Sequence, residues 1–140
     1  MKSVLFLGLN NTRAPMAVGF LEHLAKDPVE VNYSCAKSFK TVHPHAVTVM
    51  KEFGVDISAN SYLEDPKIDM FSQKIISMGV DVQEFYSDHK VIVWKSVENW
   101  NLDNPDGADI TFFRDIRDRI KYLVIKLLDE MKIDYIHDEE

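Results

Sequence analysis

The stretch SVLFLGLNNTRAPMAVGFLEHLA, Ser3–Ala25, decides the fold. Ser3 to Leu9 is an aliphatic run short enough for a buried strand. A polar turn, Asn10-Asn11-Thr12-Arg13, follows it. Pro15 stands where a helix can begin, because proline has no N–H for the first turn to leave unpaired. Met16, Phe20, Leu21 and Leu24 then recur at helical spacing up to Lys26, and Asp27-Pro28 breaks the pattern. Strand, polar turn and helix N-terminus together present a run of backbone N–H groups with partial positive charge, which favours an oxyanion. Arg13 would add a bidentate fork. The same residues also suit a capped turn with a solvated arginine, and this stretch alone does not separate the two.

Outward from it, short apolar runs alternate with longer amphipathic ones, the pattern of βαβ units and a parallel sheet. Val29–Ser34 alternates as a second strand. His43-Pro44 opens a second helix with Val47, Met50 and Phe53 on one face and Gly54 at its end. Asn60 to Asp69 reads as a loop or a short helix. Lys74–Met78 is a third strand ending at Gly79, and Lys90–Trp94 a fourth. Ile116, Ile120, Leu123, Leu127 and Met131 stripe one long closing helix. The expected fold is three-layer α/β: a central, parallel, four-stranded sheet with helices on both faces. Residues 1–133 form a single domain and 134–140 an acidic tail. Right-handed crossovers place the loops after Leu7, Met78 and Trp94 on one edge, where they converge on one site.

Composition narrows the function. In 140 residues, 46% hydrophobic, the chain can bury a core without disulfides or metals. A formal net charge of -7 argues against nucleic acid or an anionic membrane as partner, so an anion has to be held by local groups. No window is apolar enough for a membrane span, and the N-terminus runs straight into a strand. With a single cysteine, Cys35, the chain has no internal disulfide, and a cytoplasmic location is expected.

The order of motifs resembles the low-molecular-weight protein tyrosine phosphatase superfamily, and within it the thiol-dependent arsenate reductases. VLFLGLNNTRAPMAVGFLEHLA is similar to that family's first strand, phosphate loop and first helix. There the pattern is Cys, five residues, Arg, Ser, Pro or Gln, and Met-Ala-Glu. VHPHAVTVMKEFGVDIS resembles its second helix, KIISMG its third strand and RDIRDRIKYLVIKLL its closing helix. VENWNLDNPDG resembles the reductases' Trp-x-Leu-Asp-Asp-Pro loop. The resemblance implies an oxyanion site at Gly8, Leu9, Asn10, Asn11, Thr12 and Arg13.

The departures fall on the chemistry that the resemblance implies. In the family, a thiolate attacks phosphorus or arsenic. Its position here is Gly8, and only four residues separate Gly8 from Arg13. The general-acid position, before Pro105, is Asn104, whose amide cannot deliver a proton; Asp103 next door is a possible acid. The reductases' first relay thiol falls on Gly79, and VDVQEFYSDHKV has no cysteine for the second. The Ser after the arginine is Ala14 and the Glu after Met-Ala is Val18.

The expectation is therefore a catalytically degenerate homologue. It would keep an oxyanion loop for phosphate, sulfate or arsenate, or for a phosphorylated or protein partner, and use no cofactor and no metal. The alternative is an active phosphatase or reductase with a displaced nucleophile, such as Thr12, Asp103 or a held water. Whether the chain is an enzyme stays open, the residues weighing against it. His43 and His45 are expected to cap and line a helix rather than bind metal, and Cys35 to be a small buried side chain. Asp88-His89 reads as a turn. Trp94, Trp100, Phe85 and Tyr86 either wall a pocket over the loop or pack the sheet against the last helix. RDIRDRIK reads as a solvated helix face.

Overall fold

The computed structural model describes residues 1–37, 40–60, 71–86 and 92–137. Its sheet has four parallel strands in the order β2-β1-β3-β4, where β1 is Lys2–Gly8, β2 Val29–Cys35, β3 Lys74–Ser77 and β4 Val97–Asn99. This is the parallel, four-stranded α/β architecture that the sequence predicts. β1 is paired on both sides, and Val4 to Leu7 are fully buried. That is why the run is continuously apolar instead of alternating.

α1 (Arg13–Leu24) packs against the closing helix α4 (Ile110–Glu130), and α2 (Pro44–Lys51) packs on both. α1 begins two residues earlier than the proline suggested. Pro15 still lies in the first turn, where no acceptor awaits its missing N–H. Apart from Glu22 and His23, the whole of α1 is buried, as expected for a helix apolar on nearly every side. α4 is capped by the Asp109 carboxylate, which accepts from the Phe112 N–H at 3.2 Å. It buries Phe113, Ile116, Ile120, Val124, Leu127 and Leu128. Among the described residues, no helix is long and apolar enough to cross a membrane.

Three expectations need correction. The fourth strand is Val97–Asn99, not Lys90–Trp94. Lys90 and Val91 lie outside the described residues, Ile92 and Val93 form no strand, and Trp94–Ser96 is a turn of 3-10 helix. Apolar content misled here. Ile92 is buried without joining the ladder, whereas the strand itself is a short, charged edge, a composition that discourages pairing with other chains. Phe53 does not share the buried face of α2. The helix ends at Lys51, Phe53 is 40% exposed, and the buried residues are Ala46, Val49 and Met50. Finally, the first residues of the expected tail are bonded to the end of α1. The Lys26 N–H donates to the Asp134 carbonyl at 2.8 Å, and the Ile136 N–H to the Leu24 carbonyl at 2.8 Å. Residues 138–140, 87–91 (with Asp88-His89) and 61–70 lie outside the described residues.

Candidate functional site

The convergence expected on one sheet edge is observed. The loops after β1, β3 and β4 meet at Arg13, which opens α1 and is 2% exposed. Its Nη2 donates to Asp81 Oδ2 at 2.6 Å, and its Nη1 to the Leu102 carbonyl at 2.9 Å. Asp81 lies in the first turn of α3 (Val80–Phe85), a helix not foreseen from the sequence. Both ends of the guanidinium thus tie neighbouring loops to α1.

The polar turn closes on itself. The Thr12 N–H donates to the Asn10 carbonyl at 2.9 Å, two residues back. The same carbonyl accepts from Cys35 Sγ at 3.4 Å. Asn11 is fixed from beneath, its Oδ1 accepting from the Tyr33 hydroxyl at 2.9 Å and its carbonyl from the His43 N–H at 3.0 Å. The side chains of Asn10 and Thr12 turn toward the loop before α4. Asn10 Nδ2 donates to Asp106 Oδ2 at 2.6 Å, and Thr12 Oγ1 donates to Asp106 Oδ1 at 2.9 Å. One carboxylate therefore spans two donors of the loop, much as two oxygens of a bound oxyanion would. Asn10 Oδ1 is buried without a hydrogen-bond partner among the described residues.

Asp106 was not among the residues singled out from the sequence; the turn signal Asn104-Pro105-Asp106-Gly107 was the available clue. Asn104 Oδ1 accepts from the Asp106 N–H at 3.1 Å, and Gly107 adopts φ +89, a left-handed conformation that suits glycine. Asn104 and Asp103 are both exposed, and the carboxylate over the loop belongs to Asp106. Asn10, Asn11, Thr12, Thr41, His43, Pro44 and Asp106 line a cavity of about 160 Å³.

Gly8 and Gly79, where the resemblance implies thiols, differ in the room they leave. A Cβ on Gly8 would lie 3.0 Å from Ala14 Cβ and 3.7 Å from Cys35 Sγ. Gly8 and Cys35 are register partners on adjacent strands. A Cβ on Gly79 would lie 2.6 Å from the Leu102 carbonyl oxygen and 2.9 Å from Arg13 Nη1. The space of a side chain there is taken by the groups that anchor Arg13. Burial pushes the Cys35 thiol up to about 12, and the smaller opposing pull of Arg13 does not offset it, so the thiol is protonated at neutral pH.

The other candidates have structural places. His43 Nδ1 accepts from the His45 N–H at 3.1 Å, capping α2, and both imidazoles pack on Phe113 at ring distances of 4.8 and 5.1 Å. Trp100 is buried, 5.5 Å from Phe6, and Phe85 is half exposed. These aromatics are not among the cavity's lining residues. Within RDIRDRIK, Arg117 is buried, contrary to a fully solvated face. It donates to the Val49 carbonyl at 3.0 Å and to Glu52 at 2.6 Å.

Comparison with known proteins gives this geometry its context. The chain matches no family model. It is 32% identical over 136 residues to a glutaredoxin arsenate reductase of Synechocystis sp., covering 91% of this chain and 97% of that one. It is 32% identical over 126 residues to arsenate reductase 1 of Staphylococcus epidermidis, covering 86% and 90%. Among solved structures, an arsenate reductase in the phosphate binding state superposes with a TM-score of 0.74 at 30% identity, covering 93% of this chain and 98% of that one. A YwlE mutant from Bacillus subtilis superposes with a TM-score of 0.82 at 17% identity, covering 94% and 99%, a likeness of fold. The chain belongs to the arsenate reductase family, and its fold is shared with a low-molecular-weight protein tyrosine phosphatase from T. tengcongensis, which superposes with a TM-score of 0.79 at 19% identity.

Proposed function

We propose that this chain is a catalytically degenerate member of its family, a cytoplasmic binding module that holds a small oxyanion or a phosphorylated group at Gly8–Arg13. The observation that carries the reading is the pairing of Asn10 Nδ2 and Thr12 Oγ1 with one carboxylate, at 2.6 and 2.9 Å, in a loop whose first residue is glycine. The donors of an anion cradle persist where the nucleophile of thiol chemistry does not. A relative whose structure is described as the phosphate binding state supports the ligand class. Against thiol catalysis stand Gly8, Gly79 and a sole cysteine that is buried and protonated. In a triad enzyme, loss of the nucleophile alone costs about a million-fold in turnover.

Calorimetric titration of phosphate, sulfate and arsenate tests the reading, alongside hydrolysis of a chromogenic aryl phosphate. Saturable anion binding without turnover is expected. One observation favours the second reading, an active enzyme with a displaced nucleophile: the Thr12 hydroxyl is bonded to a carboxylate able to take its proton. Thr12 is 1% exposed with Asp106 over it, so this reading, like the first, needs that carboxylate to make room. Turnover that persists through purification and disappears in Thr12→Val would establish that second reading and displace the first.

A further inference from the structure

The loop's own carboxylates already occupy the groups an anion would use. Asp106 accepts from Asn10 and Thr12, and Asp81 accepts from Arg13. An incoming oxyanion meets both spent donors and like charge at short range, in a partly buried setting where repulsion is weakly screened. The two carboxylates are held differently. Asp81 anchors a guanidinium that is 2% exposed and tied to the Leu102 carbonyl, so its release would unseat the start of α1. Asp106 is half-buried on a tight turn between buried Pro105 and exposed Gly107, the latter at φ +89. Two side-chain hydrogen bonds, from Asn10 and Thr12, hold its carboxylate over the loop.

We infer that Asp106 is an autoinhibitory carboxylate: it lies on the Asn10–Thr12 donors as an internal competitor, and the Gly8–Arg13 loop admits an oxyanion when Asp106 swings off. This inference rests on the oxyanion reading above and adds the regulation of that site. Asn10 Oδ1 fits the same picture. It is a buried acceptor beside the cavity that finds no donor among the described residues in the closed arrangement.

The test is the affinity of inorganic phosphate for the full chain and for Asp106→Asn and Asp106→Ala, measured by calorimetry at fixed ionic strength. Asparagine removes the charge at constant shape; alanine removes the competing acceptor as well. Urea denaturation of each variant establishes that it is folded. The expected result is a dissociation constant lowered about tenfold or more in both variants, or binding seen in them alone. Equal affinity in all three proteins overturns the inference and leaves the oxyanion reading standing. Weaker binding in the variants overturns it too, since Asp106 would then be helping to hold the anion. No binding to any of the three folded proteins removes the oxyanion reading, and the inference with it.

Discussion

Arg13 is the residue from which the roles of strut and anion fork can be separated by energetics. Its side chain is 2% exposed and that of Asp81 is 29% exposed, at 2.6 Å. Removing one partner of a buried pair costs about 3–5 kcal/mol, because the other charge is left uncompensated. Here the burial is one-sided, so the two removals differ. Asp81→Ala strands a guanidinium in the interior with the Leu102 carbonyl as its surviving bond; water entering where Asp81 was exposed moderates the loss to about 2–3 kcal/mol. Arg13→Met keeps most of the buried volume and leaves Asp81 with access to water, for a loss of about 1–2 kcal/mol. The double variant should lie close to Arg13→Met alone, which makes the coupling equal to the Asp81→Ala loss, about 2–3 kcal/mol. Urea denaturation followed by tryptophan fluorescence reads this directly, since Trp100 packs 5.5 Å from Phe6 of the central strand. Losses that are equal, and additive within about 0.5 kcal/mol, would refute the strut and return Arg13 to the solvent-facing role of a free fork.

Other perturbations test the glycines, the thiol and the α2–α4 contact. Gly79→Ala should cost about 2 kcal/mol in urea denaturation, because its Cβ would lie 2.6 Å from a backbone carbonyl that holds Arg13; an unchanged midpoint would show that the Leu102 segment yields freely. Gly8→Cys should restore no aryl phosphatase turnover and should bridge to Cys35 only slowly under oxidation, because that thiol is buried and protonated although its sulfur lies 3.7 Å from the new Cβ. Mass spectrometry with and without reductant follows the bridge, and its complete formation within minutes at neutral pH would contradict the protonated state of Cys35. Cys35 itself, pushed up to about 12 by burial, should resist an aromatic disulfide reagent at neutral pH in the native protein and react fully in urea. Glu52 is lowered from 4.5 to about 2 by hydrogen bonds first from Arg114 and then from Arg117. A depressed carboxyl stabilises the fold above its unfolded value and loses that contribution as pH falls through its folded one. Glu52→Gln should therefore flatten the decline of the urea midpoint between pH 4.5 and 2, and an unaltered acid limb would discount the contact.

What could be read in the sequence depended on whether the signal was local. β1 and α1 were legible because an apolar run, a polar turn and a proline near a helix start follow one another within a few residues of chain. The closing stripe of α4 was legible for the same reason, although Arg117 was read as solvated. Its partners, Val49 and Glu52, lie 65 or more residues away, and nothing local announces them. β4 was misplaced because hydrophobicity marks burial, not pairing. Ile92 is buried off the ladder, and the paired residues Val97, Glu98 and Asn99 look like loop. At the site, the polar turn Gly8 to Arg13 and the presence of a single cysteine were legible. Asp106 and Asp81 were not, since each acts on the loop from a distance of 68 to 96 residues along the chain. The general-acid position pointed to Asn104 and its neighbour Asp103, but the turn rotates the residue on the other side of Pro105 over the loop.

On the proposed reading, a glycine at the head of the loop and two carboxylates over its donors have a common physical basis. A cradle built from inward-facing donors is costly when empty, because each donor kept from water without a partner loses about 1–3 kcal/mol. A relative that holds phosphate meets that requirement with a ligand. In this chain the Thr12 amide is turned back onto the Asn10 carbonyl. The donors that remain, from Asn10, Thr12 and Arg13, are each met by an oxygen of the protein itself. Gly79 is part of the same arrangement, since any side chain there would displace the carbonyl and the guanidinium that complete it. Restoring thiols at positions 8 and 79 would therefore not rebuild a working site. Arg13 would first have to be released from Asp81 and the donors cleared of Asp106. The order in which those contacts yield to an added anion separates a regulated binding site from one that has permanently closed.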